Sequence, residues 1–251
     1  MLLTMGHEVV TMAIPQSAFS FSNHLLGGLP PDVRRRLEPQ LAHIPLKLRV
    51  ILHKAGGPVR DVYFPGSGFC SVLAVLANGR MVEVATVGRE GALGVSGALN
   101  GDPSPSVTMV QAEGEICYRM PAAAFRAEMD RHDEFYRLMT RYAQAYVGFI
   151  SQSAACNAVH VVEQRLARWL LLAHDRVGKD EFPLTQEFLA MMLGVSRPTV
   201  TIVAGTLQKA GLITYRRGRL EIVDREKLES ASCECYQRAT DLLKNVRTGT
   251  R

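Results

Sequence analysis

Residues 185–223 restrict the fold more than any other part of the chain. Thr185 stands where a helix N-cap belongs, ahead of Gln186-Glu187-Phe188-Leu189-Ala190-Met191-Met192-Leu193. Glu187, in the first turn, suits the positive end of the helix dipole. Gly194 can take the positive φ that ends a helix, Val195 fills the turn, and Ser196 caps a second helix from Arg197 to about Lys209. Pro198 is tolerated in that first turn. Two helices joined by a short glycine-containing turn form a helix-turn-helix. With about 100° between successive residues, Val200, Val203 and Leu207 share the face that must enter a core. Pro198, Thr201, Ile202, Gly205 and Lys209 lie opposite, with Arg197 at the N-terminal flank.

That outer face is too polar for a core and carries too few charges for an ordinary solvated surface. Small residues let a backbone approach a partner closely. Arg197 can fork onto guanine edges, and Ile202 and the Thr201 methyl can meet thymine methyls. Thr199 and the helix N-terminus at Ser196 can hold a phosphate. Two short strands follow, Leu212-Ile213-Thr214-Tyr215 and Leu220-Glu221-Ile222-Val223, around Arg216-Arg217-Gly218-Arg219. Arg216, Arg217 and Arg219 on a glycine-permitted hairpin tip make a phosphate-seeking wing. Charge agrees with this placement. The chain of 251 residues carries a net +5, and positions 161–251 hold 15 Lys/Arg against 11 Asp/Glu, so most of the excess lies around this motif.

Upstream, 10 of the 21 glycines fall within 56–101, between short apolar runs at 59–64, 69–76 and 81–87, with further runs at 106–111 and 115–120. Asn78-Gly79 sits between two runs, a strong hairpin signal. The expectation is an antiparallel β-roll or barrel over 23–134, preceded by a loose tail over 1–22. No β-α-β alternation supports a doubly wound nucleotide domain. From Phe135 the residues Met139, Tyr142, Tyr146, Phe149, Ser153 and Cys156 follow in steps of 4, 3, 4, 3, 4 and 3, the period of a two-helix seam. These seven are expected to pair with a second copy along a helix over 135–159. Small polar residues at 151–155 would form an adjustable end of the seam, and 157–160 a hinge into the domain of 160–251. Overall the fold class is α+β.

Positions 142–162 carry no acidic or basic residue, but Gln144, Ser151, Gln152, Ser153, Asn157 and His160 make the stretch too polar to cross lipid unaided. The N-terminus lacks a signal-peptide pattern, so a cytoplasmic protein with no membrane partner is expected. Cys70, Cys117, Cys156, Cys233 and Cys235 follow no zinc spacing and suit no disulfide scaffold. No metal site and no catalytic residue are expected.

Gly194-Val195-Ser196-Arg197-Pro198-Thr199-Val200, followed by Leu207-Gln208-Lys209-Ala210-Gly211-Leu212-Ile213, resembles the winged helix of Crp/Fnr-type (cyclic AMP receptor protein-like) bacterial transcription regulators. Val87-Gly88-Arg89-Glu90-Gly91-Ala92-Leu93-Gly94, the long helix and Val162-Glu163-Gln164-Arg165-Leu166-Ala167-Arg168-Trp169-Leu170 come in that family's order. The resemblance implies a homodimer on a palindromic operator in double-stranded DNA, with RNA polymerase as a further partner. It also implies an effector pocket in the roll, with Glu90 on the Gly-rich loop, Ser106 and Val107 near the phosphate position, and Ile150 and Ser151 on the long helix. Members that hold a cyclic nucleotide place an arginine at that phosphate position, and Pro103-Ser104-Pro105-Ser106-Val107 contains none. A buried cyclic phosphate would lack its countercharge, so classical cyclic AMP is not the expected effector. There is no cysteine before Cys70, so the family's iron–sulfur variant is not expected. His7, His24, His43 and His53 follow no spacing that singles out a haem ligand. Cys233 and Cys235 leave open a thiol sensor or metal half-site, although two such cysteines on a helix are usually inert. Constitutive DNA binding without an effector is one alternative. A cupin-type small-molecule or enzymatic roll is another, opposed by the lack of any histidine between 59 and 120.

Overall fold

The computed structural model describes residues 21–248. The expected loose tail lies mostly outside them, and its last two positions are not loose. Phe21 is buried edge-on against Tyr118, and the Ser22 N–H donates to the Tyr118 hydroxyl at 3.1 Å.

Two short helices, α1 (His24–Gly27) and α2 (Pro31–Leu37), lead into the roll. Its strands are β1 (Ala42–Leu46), β2 (Ile51–His53), β3 (Asp61–Pro65), β4 (Phe69–Val75) and β5 (Met81–Val87). After helix α3 (Val95–Asn100) come β6 (Val107–Ala112) and β7 (Gly114–Pro121). All pairings are antiparallel, in sheets ordered β1-β7-β3 and β2-β6-β4-β5. Asn78-Gly79 turns the β4–β5 hairpin. Gly79 takes φ +77°, and the Asn78 side chain accepts the Arg80 N–H at 3.1 Å.

Helix α4 (Ala122–Met129) and the long α5 (Glu134–Val159) follow, the latter capped by Asp133. The chain then breaks at His160 and Val161, which are extended, so the joint lies at the end of the span expected to bend, and Asn157 remains helical. Helix α6 (Val162–Val177), strand β8 (Glu181–Pro183), helices α7 (Gln186–Leu193) and α8 (Arg197–Lys209), and strands β9 (Ile213–Arg216) and β10 (Arg219–Ile222) build the C-terminal domain. Two helices close the chain, α9 (Arg225–Ala231) and α10 (Cys235–Thr248), and α10 lies along α5. Among the described residues no single helix is long and apolar enough to cross a membrane.

The periodic residues of α5 correct the expected seam. Phe135, Met139, Tyr142, Phe149, Ser153 and Cys156 are buried within the single chain, and Tyr146 is partly so and packs on the same core. Phe135 meets Phe125 edge-on at 5.6 Å. The Tyr142 hydroxyl donates to the Ala92 carbonyl at 2.7 Å, so close to the roll that a Cβ on Gly91 would lie 2.7 Å from it. Bulk explains the placement. Burying each large ring is worth about 1.5–3 kcal/mol, and the chain's own roll and α10 are always available to do so. A different stripe is left exposed: Thr140, Gln144, Val147, Ser151, Ala154 and Ala158, with the same alternation of steps but smaller, more polar residues.

Candidate nucleic-acid interface and effector cavity

The helix-turn-helix is built by the local signals that mark it. Thr185 accepts the Phe188 N–H and Ser196 accepts the Thr199 N–H, each at 3.3 Å, and Gly194 takes φ +66°. Val200, Val203, Ala204 and Leu207 fix α8 to the core. Ser196, Arg197, Pro198, Thr201 and Ile202 are exposed, Ile202 at 69%. Thr199 is half-buried, and its hydroxyl lies 2.8 Å from that of Ser196. The Thr201 hydroxyl donates to Gln186 Oε1 at 3.0 Å, and Arg197 pairs with Glu187 at 2.8 Å on the open surface. An exposed pair of this kind is worth little, so the guanidinium is free to exchange partners.

The wing is a two-residue turn. Arg216 faces Arg219 across the ladder, and Arg217 and Gly218 take φ +50° and +76°, the double positive φ of a type I′ hairpin. All three wing arginines are exposed, and Arg219 pairs with Glu181. A cleft of about 300 Å³ runs between wing and helices, and both Arg197 and Arg217 line it. One wall thus combines a guanidinium at a helix N-terminus with another on a hairpin tip, a geometry suited to a groove edge and its flanking phosphates.

Inside the roll a partly open cavity of about 450 Å³ lies between the strands, the β5–α3 loop and α5. Val59, Val72, Ala74, Val84, Leu93, Val95 and Leu99 supply apolar walls, and Tyr142, Ala143, Tyr146, Val147 and Ile150 of α5 line the opposite side. Among the described residues no Lys, Arg, Asp or Glu lines it. The histidine in its wall, His53, is engaged at Nδ1 by the Thr108 hydroxyl at 3.3 Å and at Nε2 by the Asp61 carbonyl at 2.9 Å. Burial pushes its pKa down, against the carbonyl contact, so the ring is neutral.

The sequence profile of the cyclic nucleotide-binding domain matches residues 45–132, and that of the Crp-like helix-turn-helix domain matches 164–231. The chain belongs to the Crp/Fnr family of transcription regulators. Solved structures share the fold. A Crp/Fnr-family regulator from Eubacterium rectale aligns with a TM-score of 0.65 at 20% identity, over 82% of this chain and 96% of that one. A CRP-family regulator from Thermus thermophilus aligns at 0.60 and 20%, over 75% and 96%. The c-di-GMP responsive global regulator CLP of Xanthomonas campestris aligns at 0.56 and 17%, over 77% and 99%. No curated protein matches the chain by sequence.

In this Crp/Fnr chain the expected effector residues divide. Ser106 and Ile150 line the cavity, whereas Val107, Ser151 and Glu90 do not. Ser151 is exposed on α5, its hydroxyl donating to the Val147 carbonyl at 2.9 Å. Glu90 turns away to α6, where Arg176 pairs with it at 2.7 Å and the Gly88 N–H donates at 3.0 Å. Burial works to raise the Glu90 carboxyl, but Arg176 and the Gly88 N–H outweigh it and hold the pKa below the ordinary value. From the same loop, Ala92, Leu93 and Gly94 reach the cavity instead. Among the described residues, the cavity wall therefore offers neither a guanidinium nor a cationic imidazole to a cyclic phosphate.

Sequence reasoning missed the contacts docking the C-terminal domain onto the roll. Glu83 of β5 accepts from Trp169 Nε1 of α6 at 2.7 Å and from the Ser71 hydroxyl of β4 at 2.6 Å. Ser71 also lies 3.6 Å from Met192 Sδ of α7, and Arg176 Nη2 donates to the Thr86 carbonyl at 3.3 Å. Each contact joins positions at least 86 residues apart, apart from the short step between Ser71 and Glu83. No local pattern could have revealed them. Of the histidines considered for haem, His7 lies outside the described residues, His43 stacks edge-on with Tyr118, and both nitrogens of His53 are engaged.

Proposed function

We propose that this regulator works in the cytoplasm as a homodimer on a palindromic operator, with α8 of each copy in a major groove and Arg217 of each wing on flanking phosphates. The open, small-residue face of α8 beside the cleft shared by Arg197 and Arg217 carries this reading. Residues 23–134 sense, 135–159 pair, and 160–251 read DNA. The pairing surface is the exposed stripe through Gln144, Val147, Ser151 and Ala154, in place of the buried aromatic one. RNA polymerase is the further partner through which operator binding acts on transcription, and no catalytic step is assigned.

The effector is an uncharged, largely apolar molecule held in the roll cavity. Its apolar lining, free of ionic side chains among the described residues, supports that choice over a cyclic nucleotide. Switching consists of undocking the C-terminal domain from the Glu83, Glu90 and Thr86 contacts, followed by reorientation about His160 and Val161. Selection of bound sequences from random duplex DNA, with and without a panel of neutral apolar metabolites, tests both parts. A two-fold symmetric consensus is expected. Absence of sequence enrichment would overturn the operator reading, and enrichment that responds only to cyclic nucleotides would overturn the effector class.

A further inference from the structure

We propose that Cys156, His160, Cys233 and Cys235 bind one zinc ion, which ties the start of α10 to the end of α5. The donors come from two distant parts of the chain. Cys156 lies in the last turn of α5 and His160 directly follows that helix, with the His160 N–H bonded to the Cys156 carbonyl at 3.1 Å. Cys233 lies in the turn before α10, and Cys235 is that helix's first residue. Cys233 therefore does not share a helix with Cys235, and the proposal departs from the expectation of an inert pair and no metal site.

Their ligand atoms all lie within 4.8 Å of one another. Cys156 Sγ is 3.5 Å from Cys233 Sγ, and Cys235 Sγ is 3.6 Å from His160 Nδ1. A tetrahedral zinc about 2.3 Å from each sulfur and about 2.0–2.1 Å from the nitrogen places its donors at about these separations. A disulfide would need its sulfurs about 2.05 Å apart, and all three cysteines are free thiols. Three soft sulfurs with one imidazole form a closed four-coordinate set of the structural zinc type.

The surroundings are those of a ligand set. His160 Nε2 lies 3.3 Å from the Glu234 carboxylate, which fixes the tautomer that leaves Nδ1 facing the sulfurs. Gln152 Nε2 donates to Cys235 Sγ at 3.0 Å, the contact a thiolate accepts. Three thiolates around a dication leave one net negative charge, and the buried Arg165 and Arg168 act electrostatically on Cys156 from α6. Loading replaces the three thiol protons by one Zn²⁺ and releases three protons, with no change of oxidation state. The site stands independently of the operator and effector readings.

Full-length chain, reduced, stripped of metal and reloaded with Zn²⁺, tests the proposal by metal analysis after dialysis. One zinc per chain is expected. Co²⁺ in its place should give tetrahedral ligand-field bands together with thiolate-to-cobalt charge transfer. Cys235→Ser should abolish the stoichiometric zinc, while Cys117→Ser, in the roll, keeps it. Glu234→Gln should weaken binding about 10- to 100-fold and leave the cobalt spectrum in place. No retained zinc in the wild type, an octahedral cobalt spectrum, or a Cys235→Ser protein that folds and keeps its zinc would each overturn the assignment. Should Cys235→Ser fail to fold, the wild-type cobalt spectrum decides alone.

Discussion

Replacing Glu83 with glutamine isolates a pH-dependent consequence of the docked C-terminal domain. Glu83 is 8% exposed, with Ser71 and Trp169 donating to its two oxygens. Burial raises its pKa from 4.5 to about 7, against those two hydrogen bonds and the positive fields of Arg168 and Arg176. In the unfolded chain the same carboxyl ionises near 4.5, so the folded state binds the proton more tightly. The associated stability is complete below about pH 4.5 and is lost as pH rises through about 7. At about 1.36 kcal/mol per unit, the loss amounts to about 3 kcal/mol. The amide introduced by Glu83→Gln does not titrate, and it sacrifices one acceptor at a pH-independent cost of about 0.5–1.5 kcal/mol. Urea midpoints at about pH 5 and about pH 8 should show the wild type losing stability relative to Glu83→Gln by most of that margin. Trp169 is the chain's only tryptophan, so its emission offers a second readout, with a titration near 7 that vanishes in the variant. Parallel pH profiles for the two proteins would refute the reasoning.

Other perturbations probe the interface and the pairing surface. Arg217→Ala should weaken binding to all duplexes alike and reduce the salt slope by about one, as read in titrations at two ionic strengths. Arg197→Ala should cost about 1–3 kcal/mol at one base pair and relax preference there; a uniform loss across sequences would remove its base-reading role. Val147→Asp places a charge on the exposed stripe and should leave a folded monomer by sedimentation, whereas an unchanged dimer would move the pairing surface elsewhere. Arg176→Ala strands the partly buried Glu90 carboxylate and should destabilise the fold by up to about 3 kcal/mol in urea unfolding.

What could be read from the sequence was what the backbone settles locally. Asn78-Gly79, the caps Thr185 and Ser196, and Gly194 mark turns by their own conformational preferences, and each forms the turn it signals. Strand β1 carries Pro45, which argues against a strand, yet β1 is an edge strand of its sheet, where a missing N–H is tolerated. The α5 seam went astray for a different reason. A 3.5-residue period identifies an apolar face but not the surface that meets it. Size decides that Phe135, Tyr142 and Phe149 belong to the chain's own core, and the small, polar stripe at Gln144, Ser151 and Ala154 gives no hydrophobic signal. Glu90 and Cys156 were misread because Arg176 lies 86 residues from the first and Cys233 lies 77 from the second.

The proposed pairing surface, effector cavity and zinc site all involve α5, which would serve three tasks. Tyr142, Tyr146 and Ile150 wall the roll cavity, and Val147 reaches it too while remaining 63% exposed on the stripe assigned to pairing. A second copy packed on that stripe would therefore complete the cavity. An apolar ligand there would contact the residue that the partner covers, and so bind the paired chain more tightly than the single one. Differential affinity of that kind is the thermodynamic requirement for an effector, and it needs no charged group in the pocket. At its far end α5 offers Cys156 and His160 to the α10 sulfurs, immediately before the joint at which α6 departs. Zinc in that cluster would hold α10 against α5 and leave the joint at Val161 as the place where the DNA-reading domain turns. Ligand at one end of the helix and metal at the other would then act on the same rod, one setting how copies pair and the other fixing where the chain bends.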